Sequence, residues 1–105
     1  MKISDSSFVS YKMNATSLCI PRVSMSVKKE YVKSVFDRLD FGKISQIDMV
    51  RKRSDNHQRV FIHFESWNDN MNATRAKELL ETGKAIKIIY DDLWFWKASL
   101  NRAPQ

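Results

Sequence analysis

Four short segments of the chain are predicted to be β-strands, the first from a short apolar run that Pro21 ends and the others from inward-facing apolar residues that recur along the segment. These segments are 17–20, 43–50, 59–67 and 84–90. In RVFIHFESW, the third segment, one side suits a hydrophobic core and consists of Val60, Ile62 and Phe64. The other side combines a ring, an imidazole and charges, namely Arg59, Phe61, His63 and Glu65. This segment is therefore predicted to be a half-buried strand whose second face is either a binding surface or simply solvated.

Apolar residues recur at helical spacing in two further segments. The first helix is expected to have Ser26 as its N-cap and to end before Gly42. Its apolar positions are Val27, Tyr31, Val32, Val35, Phe36 and Leu39. The second helix has Asn68 or Asp69 as a candidate cap and is expected to end at 82–83, a Thr-Gly pair. Its apolar positions are Met71, Ala73, Ala76, Leu79 and Leu80.

The resulting order, strand, helix, strand, strand, helix, strand, predicts an α+β domain with a ferredoxin-like βαββαβ fold. A four-stranded antiparallel sheet would have both helices on one face, the first and third strands paired in the centre, and the other face open. We expect an arm over 1–16, the domain over 17–90 and an aromatic extension over 91–105. The extension contains Trp94, Phe95 and Trp96 in a row, and it could either add a strand or fold back over the sheet.

The amino-acid composition limits the classes of protein to which the chain can belong. With 105 residues, 43% hydrophobic, the chain is expected to form one folded domain. Cys19 is the single cysteine, and His57 and His63 are the only histidines, so no disulfide, metal site or cofactor is predicted. With no possible disulfide within the chain, we expect the reducing cytoplasm as the compartment, and no apolar run approaches the roughly 18 residues of a membrane span, so no membrane contact is expected. The net charge of +6 favours polyanionic partners, although solubility alone can explain such a charge.

The open face of the predicted sheet is the first candidate binding surface. It would carry Cys19, Arg59, Phe61, His63, Lys87 and Ile89. A single ring can stack one base, and a guanidinium plane can take the place of a second ring. A basic run between the second and third strands, Arg51, Lys52 and Arg53, suits phosphate contacts or, equally, a solvated loop. The competing interpretation of the face is that the segment 94–96 covers Phe61.

Catalysis finds no support in the sequence. Asp91 and Asp92 are adjacent in a predicted turn and would diverge on a strand. Neither histidine can be placed next to a serine or cysteine nucleophile with a paired acid. The chain's two glycines are too far apart for a phosphate-binding loop. We therefore expect a non-enzymatic protein without a small-molecule substrate.

The order of elements and two strand motifs resemble the RNA recognition motif. Its octapeptide aligns with 57–64, where Phe61, Ile62 and Phe64 are of the expected type, while Gln58 replaces a glycine and Arg59 replaces a stacking aromatic. Its hexapeptide aligns with 18–23, where Leu18 and Ile20 match and Cys19 replaces the stacking aromatic. The resemblance implies contact with single-stranded RNA, or DNA, through the sheet.

A narrower likeness covers IPRV, VFDRLDFGKISQIDMV and YDDLWFWKASLNR. These runs are similar to small proteins of this fold encoded by large nucleocytoplasmic DNA viruses, which implies a location in infected cytoplasm, a viral factory or a virion. The functional hypothesis is thus a viral module that binds single-stranded nucleic acid. The alternative is a protein adaptor, virion component or homodimer with Trp94, Phe95 and Trp96 at the interface.

Overall fold

The computed structural model describes residues 16–51, 56–91 and 93–101. This part of the chain forms an α+β fold with five strands and two helices. In chain order they are β1 (Ser17–Ser24), α1 (Lys29–Leu39), β2 (Gly42–Arg51), β3 (His57–Trp67), α2 (Met71–Glu81), β4 (Ile86–Asp91) and β5 (Trp94–Leu100). Neither described helix is long and apolar enough to cross a membrane. The prediction of an α+β class is confirmed, and the prediction of four strands is wrong.

The five strands form one sheet in the order β2-β3-β1-β5-β4, and all of the paired neighbours are antiparallel. As predicted, β1 pairs with β3 in the interior, and β2 and β4 lie at the edges. The additional strand, β5, comes from the segment predicted to be an extension, and it separates β1 from β4. Because β3 and β5 are both antiparallel to β1, they are parallel to each other. This arrangement is compatible with a ferredoxin-like fold.

The hydrophobic core lies between the helices and one face of the sheet. The strand β3 contributes Val60, Ile62 and Phe64, as its alternation predicts. The first helix buries Val32, Val35 and Phe36, and the second buries Ala73, Ala76 and Leu80. In α2, however, Met71 is 86% exposed and Leu79 is also exposed, so its predicted apolar stripe is buried only in part.

The helix starts differ from the predicted caps. The N-cap of α1 is Lys28, which makes no side-chain capping bond, whereas Ser26 lies in the preceding turn with its hydroxyl 2.9 Å from Ser24 Oγ. The N-cap of α2 is Asn70, whose side chain accepts a 2.8 Å bond from the Ala73 N–H. Asn68 precedes this cap, and its amide donates to the Asp40 carbonyl oxygen. The end of α2 is as predicted, at Thr82 and a left-handed Gly83.

Candidate functional site

The face of the sheet opposite the helices, called here the open face, has Phe61 near its centre. Its cross-strand partners are Asp48 on β2 and Cys19 on β1, and Cys19 in turn pairs with Ser99 on β5. Phe61 is half-buried at this position. No aromatic ring in the described part of the chain contacts it. Phe61 is therefore a single ring that a flat ligand can approach from the solvent.

The aromatic segment 94–96 does not cover Phe61. Trp96 is 3% exposed and lies on the helix side of the sheet, where it stacks on Tyr90 and meets Tyr31 edge-on. The exposed fractions of Trp94 and Phe95 are 62% and 44%. Trp96 thus belongs to the core and is not available to a partner while the sheet is intact. Trp94 and Phe95 remain accessible.

His63 is held between two neighbouring strands. Its Nδ1 lies 2.7 Å from the Ser17 hydroxyl on β1, and its Nε2 lies 2.9 Å from the Asp48 carboxylate on β2. Hydrogen bonds from Gln46 and then from His63 lower the pKa of Asp48, so this carboxylate is ionised at neutral pH. Because both ring nitrogens are engaged, His63 offers no free nitrogen to a ligand.

This arrangement corrects one sequence-based argument. The argument that no serine with a paired acid lies near a histidine was wrong for His63, because only the cross-strand register brings Ser17 and Asp48 to it. Ser17 is nevertheless part of a paired strand, and its carbonyl oxygen accepts the Asn101 N–H. A serine nucleophile is commonly presented at a sharp exposed turn. We therefore interpret the three side chains as a polar row that orients His63.

A bulge in β1 brings positive charge to the open face. The ladder between β1 and β3 pairs Ile20 with Val60 and Val23 with Gln58, so Pro21 and Arg22 together lie opposite the single residue Arg59. Both Arg22 and Arg59 are exposed. A proline inside a strand lacks the N–H that a ladder bond needs, and it is found at bulges and edges for that reason.

Two lysines continue this positive strip across the sheet. Lys97 on β5 lies level with Pro21, because Ser99 pairs with Cys19 and the strands are antiparallel. Lys97 is also paired directly with Lys87 on β4, whose ammonium lies 4.8 Å from the centre of the Phe95 ring. We call Arg22, Arg59, Lys87 and Lys97 the basic row. None of its members forms an ion pair with an acidic side chain of the described residues.

Sequence analysis found half of the basic row. Arg59 and Lys87 were predicted for the open face, but Arg22 and Lys97 were not. The signal for Arg22 was available, since Pro21 inside an apolar run indicates a bulge. The position of Lys97 depends on β5, which the sequence did not define. Arg51 is exposed at the end of β2, while Lys52 and Arg53 lie outside the described residues.

Cys19 is a half-buried thiol. Burial raises its pKa, and the nearby positive charge of Arg59 opposes this effect in part. A thiol of raised pKa is a poor nucleophile at neutral pH, so Cys19 acts as a small apolar neighbour of Phe61. Among the described residues, no cluster of three or more His, Cys, Asp or Glu side chains could hold a metal ion.

Comparison with known proteins assigns no family to this chain. No protein-family model matches it, and no curated protein sequence matches it at a significant level.

Proposed function

We propose that the open face binds single-stranded nucleic acid, with RNA as the first ligand to test. The observation that carries this proposal is the half-buried ring of Phe61, which contacts no other ring of the described residues, beside the exposed Arg59, which forms no ion pair with a described acidic side chain. A base stacked on one aromatic ring contributes about 1–3 kcal/mol, and this contribution tolerates different bases. The basic row would contact phosphates, which hold the strand without determining its sequence.

We also propose that the chain resembles the RNA recognition motif in how its sheet binds a ligand. In that family the stacking positions lie side by side on two central strands, and the pairing of Cys19 with Phe61 supports the same placement here. In a ferredoxin-like fold, the last strand lies next to the first. Here β5 occupies that position beside β1, and β4 is an additional strand at the edge of the sheet. Since Cys19 and Arg59 replace two of the expected rings, we expect one stacked base and weak sequence preference.

The test is fluorescence anisotropy with a 5′-labelled single-stranded 12-nucleotide RNA and a DNA of the same sequence. We expect Phe61→Ala to weaken RNA binding by about 5- to 150-fold, the equivalent of one lost stacking contact. Phe61→Tyr keeps a ring and is expected to bind as the unmodified protein does. Equal binding by the Ala and Tyr variants would contradict stacking on Phe61. Tighter binding of the DNA would reassign the ligand to single-stranded DNA.

A second candidate function, protein binding, is favoured by the tip of the β4–β5 hairpin. Four large apolar side chains are exposed there, namely Ile89, Leu93, Trp94 and Phe95. Among the described strands, the adjacent β4 lies at an edge of the sheet, and an edge strand can pair with a strand of another chain. If a second copy of the chain binds here, light scattering will show a dimer that dissociates in Leu93→Ser. A monomer over the micromolar range would exclude self-association.

A further inference from the structure

A cavity of about 200 Å³ opens between β1 and β5 at one end of their ladder. Its lining consists of Pro21 and Arg22 from β1, and Phe95, Trp96 and Lys97 from β5. We call this cavity the β1–β5 cleft. It is distinct from the Phe61 ring, because none of its lining residues belongs to β3.

The cleft has a cause in the sequence. Only two residue pairs join β1 to β5, Leu18 with Leu100 and Cys19 with Ser99. Beyond them Pro21 has no N–H to donate, and the bulge at 21–22 bends β1 locally. The two strands therefore separate just where Lys97 would otherwise face β1, and space is left between them.

The chemistry of the cleft combines two cations with an apolar surface. Arg22 and Lys97 belong to opposite walls, while Pro21, Phe95 and Trp96 supply the rest of the lining. Neither cation has an acidic partner among the described residues. In addition, Lys97 lies directly opposite Lys87, and like charges opposite each other on a sheet repel. An anion bound here would relieve that repulsion and would occupy space that two positive side chains already border.

We propose that the β1–β5 cleft binds a phosphodiester group of the single-stranded nucleic acid, with Arg22 and Lys97 contacting the phosphate oxygens. This inference rests on the proposed function and adds a phosphate subsite to it. Lys87 reinforces the positive charge, and the exposed Phe95 ring contacts the adjoining sugar or base. A strand bound in this way crosses the sheet from Phe61 on β3 to the hairpin at β4.

The test is the salt dependence of binding, measured with a labelled 12-nucleotide oligouridylate from 50 to 300 mM KCl. Each phosphate neutralised by a protein cation contributes about 0.7 to the slope of log K against log salt for a single strand. Because Arg22 and Lys97 contact the same phosphate, we expect the double variant Arg22→Gln/Lys97→Gln to reduce the slope by about 0.7 and each single variant to reduce it by part of that amount. Lys97→Arg keeps the charge and is expected to keep the slope.

The matched control is Lys33→Gln, which removes one charge from an exposed site on α1, on the helix side of the sheet. We expect this variant to leave the slope unchanged. If the cleft variants behave like Lys33→Gln while Phe61→Ala still weakens binding, the phosphate subsite is refuted and the proposed function stands. If the unmodified protein does not bind oligouridylate at 50 mM KCl, both proposals fail together.

Free inorganic phosphate offers the same anionic oxygens as a phosphodiester of the strand. A competition experiment distinguishes between these two ligands. Inorganic phosphate at the same ionic strength as KCl is expected to displace the oligonucleotide no better than chloride does. If millimolar phosphate shifts the amide signal of Lys97, and the shift disappears in Lys97→Gln while the oligonucleotide stays bound, the assignment to a phosphodiester is overturned and the cleft is a small-anion site.

Discussion

The indole of Trp96 stacks on the ring of Tyr90, with ring centroids 4.3 Å apart and an interplanar angle of 25°. Tyr31 on α1 meets the same indole edge-on at 6.3 Å, so the rings of β4, β5 and α1 form one cluster. Aromatic pairs in such geometries add about 0.5–1.5 kcal/mol each to the stabilisation from burial. The last strand is therefore joined to the first helix by its side chains as well as to β1 by its backbone.

The first prediction concerns this cluster. We expect Trp96→Ala to lower the free energy of unfolding by about 3–5 kcal/mol, because a buried aromatic side chain is replaced by a cavity. Trp94→Ala is the matched control, since its indole is exposed at the hairpin tip, and we expect a change within about 0.5 kcal/mol. Urea unfolding followed by circular dichroism measures both. Equal effects of the two substitutions would contradict the placement of Trp96 in the core.

The strand β5 shows where sequence patterning is insufficient. Three consecutive bulky aromatics, Trp94, Phe95 and Trp96, give no alternation between an apolar and a polar side. Their orientation is set by the hairpin with β4, in which Ile88 pairs with Trp96 and Ile89 with Phe95. By contrast, β3 alternates clearly, and the directions of its side chains were predicted correctly because one of its faces is polar.

A second prediction concerns Gln58, a buried polar residue that the octapeptide alignment treats only as a substitute for glycine. Its amide donates to the carbonyl oxygens of Ser24 and Val27, at 2.9 and 3.0 Å, and so secures the turn between β1 and α1. We expect Gln58→Ala to destabilise the fold by about 1–3 kcal/mol, because two carbonyl groups lose their donor. In a thermal-unfolding comparison, the exposed Gln46→Ala should change stability far less. A smaller loss in Gln58→Ala would show that the turn does not depend on this amide.

A third prediction compares the chain's two glycines. A Cβ atom at Gly42 would collide with the Ser66 carbonyl oxygen of the paired β3 strand, so no side chain fits. At Gly83 a Cβ would meet nothing within 4 Å, but φ is +87°, which costs a residue with a side chain roughly 1–2 kcal/mol. We expect Gly42→Ala to be the more destabilising of the two in chemical denaturation. The reverse order would mean that β2 shifts away from β3 at little cost.

The candidate site was predictable in part, and the reason is geometric. Period-2 alternation places Arg59, Phe61 and His63 on one face without knowledge of any neighbour. The partners of these residues depend on register, which aligns Asp48 and Cys19 with Phe61. The bulge in β1 changes its register with β3 by one residue. The basic row therefore could not be predicted from the residue pattern of each strand taken alone.

A final prediction follows from the polar row that crosses the open face. Asp48 accepts hydrogen bonds from Gln46 and from His63, and these bonds lower its pKa below the ordinary value of 3.8. The unfolded chain therefore binds more protons than the native state in the interval between the two pKa values, so stability rises with pH there. The contribution of Asp48 is complete above about pH 5, and it is lost as pH falls through the folded-state pKa.

The measurement is the difference in free energy of unfolding between the unmodified protein and Asp48→Asn, obtained from urea titrations between pH 6 and pH 2.5. We expect the unmodified protein to be the more stable at pH 6 and the difference to shrink below about pH 4, because protonation then makes Asp48 as uncharged as asparagine. Glu78→Gln on α2 serves as the control for a carboxylate that accepts no hydrogen bond from the described residues. A difference that stays constant from pH 6 to pH 2.5 would show that Asp48 acts through its shape and not its charge, and the bond to His63 would then carry no ionic component.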